Sequence, residues 1–500
     1  MIARASLMPW LALAGGAAFP LALAPLFWWP AGLLSLAILY YALCSANSPR
    51  KAFFLSWMYA LGQFGTGVSW IYVSVHDHGG TPAFLAVPLV GIFAAFLALI
   101  PASWFALRQR LCGQQLSVLT FGSFWLLQEW CRSWFLTGFP WLFAGDGHIS
   151  TWLTGWAPVS GSYSISVILA LTAAGLAHFA HQRRWPALLP LLLWPTGEAL
   201  RHVDWTEPTG TMTVGIVQGN IDQERKWLNE EIFPTIEGYQ SDSEALLGTD
   251  LILWPETAVT LLYQRYEPYM NVFARQVRAS GSTIVTGVPF RWPADSELAG
   301  EYHNSIVAFG AGEGLYHKQR LVPFGEYIPL EKAIRGLIPF FDLPMSSFLS
   351  GQPDQAPLRV TVHDDNTTAH VMPFICYEIA YPDLVLRGAE EAGLLVTISN
   401  DAWFGDSLGP KQHMALAQMR AIETGRWILR STNTGISALV NHEGKIIERA
   451  PVNQRATFNS TAEIRRGATL YMSIGVLPLL LLMIVPLVIA IILQRQHRTL

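Results

Sequence analysis

The sequence predicts a multi-span α-helical membrane domain combined with an α/β domain, and two observations carry this prediction. Hydrophobic residues make up 51% of the 500 residues and charged residues only 14%, which is too apolar for an ordinary soluble enzyme. The apolar residues are also unevenly distributed, because they dominate both ends of the chain and leave a central block of mixed composition. The net charge of −4 gives no basic surface for nucleic acid, so we expect no nucleic-acid partner.

Seven apolar stretches of roughly 20 residues precede the central block and one follows it, as a hydrocarbon core about 30 Å thick requires. We therefore expect a seven-span transmembrane domain over residues 1–205, a globular domain over 206–466, and an eighth transmembrane helix with a short tail over 467–500. The predicted spans are Leu7–Ala24, Phe27–Leu43, Ala52–Val73, Ala83–Leu107, Leu116–Cys131, Val159–His181, Trp185–Leu200 and Leu470–Leu493.

Basic residues near the span ends predict the orientation of the chain. With eight spans they all fall on one side, which the positive-inside rule identifies as the cytoplasm. Both termini should therefore be cytoplasmic, and the central block should be exported. The clusters are Arg4, Arg50 with Lys51, Arg108 with Arg110, Arg183 with Arg184, and Arg495 with Arg498.

The central block alternates short β-like runs with helical ones, which predicts sheets covered by helices. The strand candidates are Thr213–Gln218, Leu251–Trp254, Thr283–Val288, Ser305–Phe309, His370–Cys376, Leu394–Ser399, Ile436–Val440 and Lys445–Glu448. The helix candidates are Asn229–Leu247, Tyr266–Ala279, Tyr381–Glu391 and Pro410–Ile428.

Cys376 is the candidate nucleophile of this block. It ends an apolar run that predicts a buried strand, and Tyr377 and Glu378 follow it at a turn. A thiol at a strand end beside charged groups suits nucleophilic catalysis. It is also the single cysteine of a block that we expect in an oxidising compartment, where an unused thiol is a liability. An inert buried cysteine is the alternative.

Two other stretches place a charged residue just beyond a strand. Glu256 follows Trp254-Pro255 at the end of an apolar run, and we expect it at the same edge of a sheet where Cys376 emerges. The alternative for Glu256 is a glutamate that begins a helix. Lys318 follows the run that starts at Gly314. The alternative for Lys318 is a solvated hairpin whose lysine has no role.

The three stretches together resemble the Glu-Lys-Cys triad of the nitrilase (carbon–nitrogen hydrolase) superfamily. Glu256 lies in Trp-Pro-Glu, Lys318 in His-Lys-Gln-Arg-Leu-Val-Pro-Phe-Gly-Glu, and Cys376 in Ile-Cys-Tyr-Glu, and the resemblance continues through Ser399–Gly405. A nitrilase-like domain inserted between a seventh and an eighth span is similar to the apolipoprotein N-acyltransferase family. The opening Val217–Ile221, with Trp227 following, matches that family as well.

The resemblance implies an αββα sandwich and a division of labour within the triad. Cys376 would attack an ester carbonyl while Glu256 acts as general base. Lys318 would favour the thiolate and hold the tetrahedral oxyanion together with the backbone N–H of Tyr377. The implied product of the attack is an acyl thioester on Cys376.

Supporting residues are implied in the same way. Glu326 and Glu378 would orient the lysine and the loops of the site, unless they form a structural ion pair. Trp227 would help to position an acyl chain or a head group. The apolar segment Leu337–Met345 would form a lip for lipid access, with a packed loop as the alternative.

The implied reaction moves an acyl chain from a phospholipid, the sn-1 position of phosphatidylethanolamine, to the α-amino group of the diacylglyceryl-cysteine that begins an apolipoprotein. Neither a metal nor another cofactor is required, since an ester needs only a nucleophile, a base and oxyanion stabilisation. The family implies a multi-pass protein of the inner (cytoplasmic) membrane of a Gram-negative bacterium, with its catalytic domain in the periplasm, and we expect a monomer. The alternative is a membrane-tethered nitrilase-type amidase or hydrolase that passes the acyl group to water.

Overall fold

Two compact units make up the computed structural model, which describes residues 2–293, 295–328, 347–363 and 367–499. The first unit comprises Met1–Tyr72, Ala83–Asp204 and Thr469–Leu500, and the second comprises Val73–Pro82 and Trp205–Ala468. The short segment 73–82 therefore groups with the central block, although its neighbours in sequence do not. Ser74 Oγ donates to the Trp403 carbonyl at 2.7 Å, and the His78 ring packs edge-on against the Trp403 ring at 5.7 Å.

The first unit is helical. Among the described residues, Ala83–Cys112, Trp152–Gln182 and Leu477–Gln496 are long and apolar enough to cross a membrane, and Leu7–Ala22 and Trp29–Cys44 are shorter apolar stretches. Its helices are Ile2–Ala18, Trp29–Cys44, Pro49–Gly67, Ala83–Leu97, Leu99–Cys112, Ser117–Trp134, Ala157–Gln182, Leu193–Leu200, Leu470–Ile474 and Leu477–Thr499.

The predicted seventh span is not one regular helix. Residues Trp185–Leu192 form a 3₁₀ helix, and an α-helix follows over Leu193–Leu200. Pro190, inside this segment, lacks the backbone N–H that a regular α-helix requires at that position.

Buried charges tie the helix Ser117–Trp134 to the segment that follows it. Glu129 Oε1 accepts from Trp125 Nε1 and from the Ala144 N–H, both at 2.9 Å. Arg132 Nη1 donates to the Trp141 carbonyl at 2.7 Å, and its guanidinium lies 5.0 Å from the Phe143 ring centre. These bonds hold the segment Trp141–Ala144 against the helix that precedes it.

The second unit contains two six-stranded sheets. The first has the strand order β12-β1-β2-β3-β4-β5 and the second the order β11-β10-β9-β8-β7-β6. The strands are β1 Glu207–Gln218, β2 Leu251–Leu253, β3 Thr283–Arg291, β4 Tyr302–Gly310, β5 Gly314–His317, β6 Leu358–Val362, β7 Thr367–Ile375, β8 Leu394–Ser399, β9 Ile428–Thr432, β10 Ala438–Val440, β11 Ile446–Arg449 and β12 Ala456–Arg466.

Each sheet has parallel strands at its centre and antiparallel strands outside them. Strands β1, β2 and β3 run parallel, as do β7, β8 and β9, and helices make the crossovers. Asn229–Glu244 and Tyr263–Ala279 pack on the first sheet, and Pro382–Glu390 and Gly409–Thr424 pack on the second. The two sheets contact each other, for example through β1 and β9 and through β4 and β7. The predicted αββα sandwich is confirmed.

The sequence missed four strands, namely β5, β6, β9 and β12. The predicted helix Pro410–Ile428 ran into β9, but the helix ends at Thr424 because Gly425 adopts φ +60° and caps it. All five residues of β9 are buried, so the strand lacks the alternation that would reveal it. Strand β12 is polar, and it is recognisable only through its pairing with β1 along eleven residue pairs.

Candidate active site

Cys376 occupies the turn at the end of β7. It follows Ile375 directly and begins a short 3₁₀ helix, Cys376–Ala380. Its φ of +52° is in the left-handed region, which costs a non-glycine residue about 1–3 kcal/mol. The residue is only partly buried, although the strand that precedes it ends fully buried.

Glu256 follows β2 and is held by its neighbours in the Trp-Pro-Glu sequence. Trp254 is fully buried, stacks on Tyr239 with ring centres 5.2 Å apart, and donates from Nε1 to Ser243 Oγ at 2.9 Å. Because Trp254 anchors the strand end, the Glu256 carboxylate has a fixed position. Its Oε2 accepts from the Asn400 N–H at 2.9 Å.

The expectation that Glu256 and Cys376 share a sheet edge was wrong. Strand β2 belongs to the first sheet and β7 to the second, so the two residues come from ends of strands in different layers of the sandwich. Glu256 Oε2 nevertheless accepts from the N–H of Asn400, which follows β8, and β8 pairs with β7 at Ile375, so the carboxylate lies beside the strand end that carries Cys376. The residues meet across the sandwich rather than along one edge.

Lys318 lies one residue beyond β5 and is 1% exposed, so it is not part of a solvated hairpin. Its backbone N–H donates to the Asn304 carbonyl at 2.8 Å, and its own carbonyl accepts from the Gly351 N–H at 2.7 Å. Its Nζ is 2.8 Å from Glu326 Oε1 and 3.5 Å from Glu256 Oε1. The lysine thus bridges two carboxylates.

Asn304 completes this group, which we call the lysine cluster: Glu256, Asn304, Lys318 and Glu326. Asn304 Nδ2 donates to Glu256 Oε1 at 2.8 Å and to Glu326 Oε1 at 2.9 Å. Burial alone would lower the pKa of Lys318, but the carboxylates of Glu326 and Glu256 outweigh it and raise that pKa. Lys318 is therefore a permanent ammonium ion at neutral pH.

The Cys376 thiol is protonated at rest. Burial raises its pKa above the ordinary value, and the Glu256 carboxylate raises it further. Lys318 and a hydrogen bond with Ser399 act in the opposite direction without cancelling these effects. The Lys318 ammonium therefore favours the thiolate without making it the resting form.

Glu378 is fully buried and binds the backbone around the lysine rather than the lysine itself. Its carboxylate accepts from the Ile375 N–H at 2.8 Å, the Gln319 N–H at 2.6 Å and the Tyr316 hydroxyl at 3.0 Å. Burial raises the pKa of Glu378 to about 7, although these N–H donors and Lys318 oppose the rise. The side chain thereby ties the end of β7 to the loop that carries Lys318.

The remaining predicted residues occupy different surroundings. The Tyr377 ring is buried and packs edge-on against Tyr381 at 5.1 Å. Trp227 is 43% exposed, whereas the adjacent Lys226 is buried and donates from Nζ to the Glu256 carbonyl at 3.0 Å. The predicted lipid-access lip, Leu337–Met345, lies outside the described residues.

A second buried group lies behind Cys376, and the sequence analysis did not identify it. We call it the histidine cluster: Ser399, Asp401, His413 and Arg430. Arg430 Nη2 donates to Asp401 Oδ2 at 2.8 Å, and Ser399 Oγ donates to Asp401 Oδ1 at 2.5 Å. His413 Nε2 is 3.0 Å from the Cys376 carbonyl oxygen. The cluster contacts Cys376 through its backbone carbonyl.

A cavity of about 490 Å³ opens next to the site. Its lining includes Asp222, Gln223, Asp401 and Asp406. Gln223 Oε1 accepts from Asn400 Nδ2 at 2.7 Å, so a single residue, Asn400, separates this cavity from Glu256. The lining also includes Ile221 and Ala402, so the cavity wall is of mixed polar and apolar character.

Within the described ranges, no group of three His, Cys, Asp or Glu side chains has the arrangement of a metal site. His413 belongs to the histidine cluster. His303 stacks on His317 with ring centres 4.4 Å apart. Both rings serve packing around β4 and β5.

Comparison with known proteins places the chain in a family. Residues 15–175 match the model described as apolipoprotein N-acyltransferase N-terminal domain, and residues 213–469 match the model described as carbon-nitrogen hydrolase. The apolipoprotein N-acyltransferase of Azotobacter vinelandii is 42% identical over 504 residues, which cover 98% of this chain and 95% of that protein. The chain belongs to the apolipoprotein N-acyltransferase family.

Other members of the family agree over most of their length. The apolipoprotein N-acyltransferase of Pseudomonas syringae pv. tomato is 43% identical over 458 residues, covering 89% of this chain and 88% of that protein. That of Photobacterium profundum is 36% identical over 503 residues, covering 97% and 95%. The match includes the helical unit as well as the sandwich, so the predicted family is confirmed for the whole chain.

Four polar residues of this N-acyltransferase site were not identified from the sequence. They are Lys226, Asn304, Asn400 and His413, and each forms a hydrogen bond with Glu256 or Cys376. Asn400 could have been identified from the sequence, because it lies in the Ser399–Gly405 stretch that carries the resemblance. The other three are ordinary polar residues within a strand, a helix or a turn, and only the tertiary contacts distinguish them.

Proposed function

We propose that this N-acyltransferase acylates the α-amino group of the diacylglyceryl-cysteine of apolipoproteins, using a phospholipid as acyl donor and Cys376 as nucleophile. One observation carries the assignment of the site. Lys318, Glu256 and Glu326 form a single buried hydrogen-bonded cluster whose charges act directly on the thiol at the end of β7. The remaining steps follow from the charges and donors of that cluster.

In the first step, the sulfur of Cys376 attacks the sn-1 ester carbonyl of a phospholipid, which we expect to be phosphatidylethanolamine. Glu256 takes the thiol proton during the attack, because the raised pKa of the thiol leaves little thiolate beforehand. The ammonium of Lys318 and the N–H of Tyr377 stabilise the oxyanion. The C–O bond breaks, Glu256 returns the proton to the leaving oxygen, and the lysophospholipid departs.

In the second step, the neutral α-amino group of the apolipoprotein attacks the thioester carbonyl. Glu256 accepts a proton from the attacking nitrogen, the C–S bond breaks, and the proton passes to the departing sulfur. The product is an amide, and Cys376 is again a thiol. One nucleophile that serves two substrates in turn predicts ping-pong kinetics.

Supporting roles follow from the contacts of each residue. Glu326 holds the ammonium of Lys318 at 2.8 Å, so it fixes the lysine where the oxyanion forms. Glu378 fixes the backbone on both sides of the site. Trp227, whose side chain is 43% exposed next to buried Lys226, is placed to meet an acyl chain or a head group.

Both substrates carry acyl chains, which supports a site on a membrane-bound enzyme. We propose that the enzyme lies in the inner membrane of a Gram-negative bacterium, with both termini in the cytoplasm, the sandwich in the periplasm, and the monomer as its working form. Sidedness is tested with a membrane-impermeant maleimide on spheroplasts. In a background with Cys44, Cys112, Cys131 and Cys376 changed to alanine, Lys445→Cys should react in intact spheroplasts and Arg183→Cys only after lysis, and the reverse pattern would contradict the orientation.

The acyl transfer is tested with purified protein and phosphatidylethanolamine labelled in its sn-1 chain. We expect a hydroxylamine-labile acyl group on the wild-type protein and none on Cys376→Ala. The other described cysteines provide a matched control, since a variant with Cys44, Cys112 and Cys131 all changed to alanine should acylate normally.

A diacylated lipopeptide is then added to the acylated enzyme. The label should move to the peptide amine at a rate that depends on peptide concentration. Label that leaves as free fatty acid, at a rate independent of the peptide, would identify a hydrolase instead. A thioester that survives in Cys376→Ala would refute the assignment of the nucleophile.

A further inference from the structure

The backbone carbonyl of Cys376 is held by a buried histidine that the proposed mechanism does not use. His413 Nε2 lies 3.0 Å from this oxygen, and the His413 side chain is 1% exposed. The carbonyl belongs to a residue with φ +52°, a conformation that persists only where its surroundings enforce it. The hydrogen bond from His413 is therefore one of the contacts that fix this turn.

The tautomer of His413 follows from its neighbours. A carbonyl oxygen can only accept a hydrogen bond, so Nε2 carries a proton. Burial, and then the charge of Arg430, lower the pKa of His413, so the ring is neutral and Nδ1 has a lone pair. Arg430 Nη2 lies 3.1 Å from Nδ1 and donates both to it and to Asp401 Oδ2, and Asp401 Oδ1 also lies 3.1 Å from Nδ1. Both ring nitrogens are thus engaged, and His413 has no free site for proton transfer.

The bond to the Cys376 carbonyl also fixes a second group. The Cys376 C=O and the Tyr377 N–H belong to one planar peptide unit, and in a trans peptide they point in opposite directions. A donor that holds the oxygen on one side therefore sets the direction of the N–H on the other. It also polarises the peptide, which makes the N–H a stronger donor.

We propose that His413 is a positioning residue that aims the Tyr377 N–H at the oxyanion by holding the Cys376 carbonyl, with Asp401 and Arg430 fixing the imidazole. This inference rests on the proposed function, because it concerns the oxyanion formed when Cys376 attacks an ester. His413 would thus affect the rate of catalysis although its side chain contacts neither the substrate nor the sulfur. The consequence is confined to steps that form an oxyanion.

Two reactions of the same sulfur separate this role from others. Acylation by a phospholipid passes through a tetrahedral oxyanion, whereas alkylation by iodoacetamide is a direct displacement and forms none. In His413→Leu, we expect the single-turnover rate of thioester formation to fall about 10- to 100-fold, somewhat less than the loss of a whole oxyanion donor. The apparent KM for the phospholipid and the alkylation rate should stay within about twofold of the wild-type values.

His413→Gln is the matched variant, since its amide N–H has about the same reach as Nε2 of histidine. We expect it to recover most of the acylation rate, to within about tenfold of the wild type. His413→Asn, whose amide is one methylene shorter and cannot reach the carbonyl, should behave like His413→Leu. Thermal unfolding of all three variants identifies any general loss of folding.

Each outcome decides the matter. Slow acylation with normal alkylation, and recovery in His413→Gln, supports the positioning role. Equal losses of acylation and alkylation in soluble, folded His413→Gln would overturn it, because the sulfur itself would then be affected. Normal acylation in His413→Leu would overturn it as well. If the wild-type protein forms no thioester, the proposed function is overturned. If the wild-type protein forms the thioester and every variant forms it equally fast, only this inference is overturned.

Discussion

The lysine cluster and the histidine cluster flank the same cysteine but are built differently. The lysine cluster sets two carboxylates, Glu256 and Glu326, against one ammonium, Lys318. The histidine cluster sets one carboxylate, Asp401, against one guanidinium, Arg430, next to a neutral imidazole. Side-chain exposure reaches 14% in the lysine cluster at Glu326, but no member of the histidine cluster exceeds 1%.

This difference in charge balance determines which role each cluster can have. An excess carboxylate next to a thiol can accept its proton, so the lysine cluster is suited to chemistry. A balanced pair whose hydrogen bonds are directed inwards has no capacity for a proton, and arginine does not deprotonate. The histidine cluster is therefore suited to holding a backbone in place. The predictions below test this division.

The largest effect is expected from Lys318→Met. The oxyanion loses its ammonium and the thiol loses the charge that lowers its pKa, so thioester formation should fall about 10³-fold or more. Alkylation by iodoacetamide at neutral pH should slow too, in contrast with the His413 variants. Rates are measured in single turnovers. Lys445→Met, at a lysine whose side chain is 69% exposed, is the control, and normal alkylation in Lys318→Met would contradict the assigned electrostatics.

Asp401→Asn should chiefly affect stability. Its carboxylate is the partner of fully buried Arg430, and an unpaired buried charge costs about 3–5 kcal/mol. The control is Arg466→Met, which breaks the exposed pair with Glu207 and should cost below about 1 kcal/mol. The measurement is the free energy of unfolding in detergent. If both variants lower the free energy of unfolding by the same amount, the buried pair is no more important for stability than the surface pair.

Glu256→Gln and Glu326→Gln separate the two carboxylates of the lysine cluster. Glu256→Gln removes the general base and should slow thioester formation about 10²- to 10³-fold. Loss of Glu326, the nearer carboxylate partner of Lys318, should slow it only about tenfold, because Glu256 still contacts Lys318 Nζ. The pH dependence of the rate distinguishes the roles. If Glu326→Gln proves the slower of the two, the roles of these carboxylates must be exchanged.

The smallest effect concerns Lys226, whose buried amine donates to the Glu256 carbonyl. Burial lowers the pKa of Lys226 to about 8. Between this value and its ordinary value, the unfolded chain binds the proton and the folded chain does not, so stability rises with pH over that interval, by about 1–3 kcal/mol at most. Lys226→Met should flatten this rise in unfolding free energy. An unchanged slope would mean that Lys226 is exposed to water.

Much of the candidate site was predictable because several of its residues lie in short sequence motifs that mark the ends of strands. Trp254-Pro255-Glu256 and Ile375-Cys376-Tyr377 each mark a buried run that stops at a turn, and the structure places strand ends at both. His413 gave no such signal. It lies within the helix Gly409–Thr424, and nothing in the helix pattern reveals that its imidazole reaches a carbonyl 37 residues earlier.

The sequence by itself determined the family, the membrane-spanning character and the order of Glu256, Lys318 and Cys376, because hydropathy and short motifs are local properties of the chain. Only the tertiary structure decided that Glu256 and Cys376 approach from two different sheets, that Lys318 is buried between two carboxylates, and that a histidine holds the Cys376 carbonyl. The physical reason is that charge pairing and peptide orientation depend on distances across the sandwich. Those distances are set by how the two sheets pack and not by spacing along the sequence.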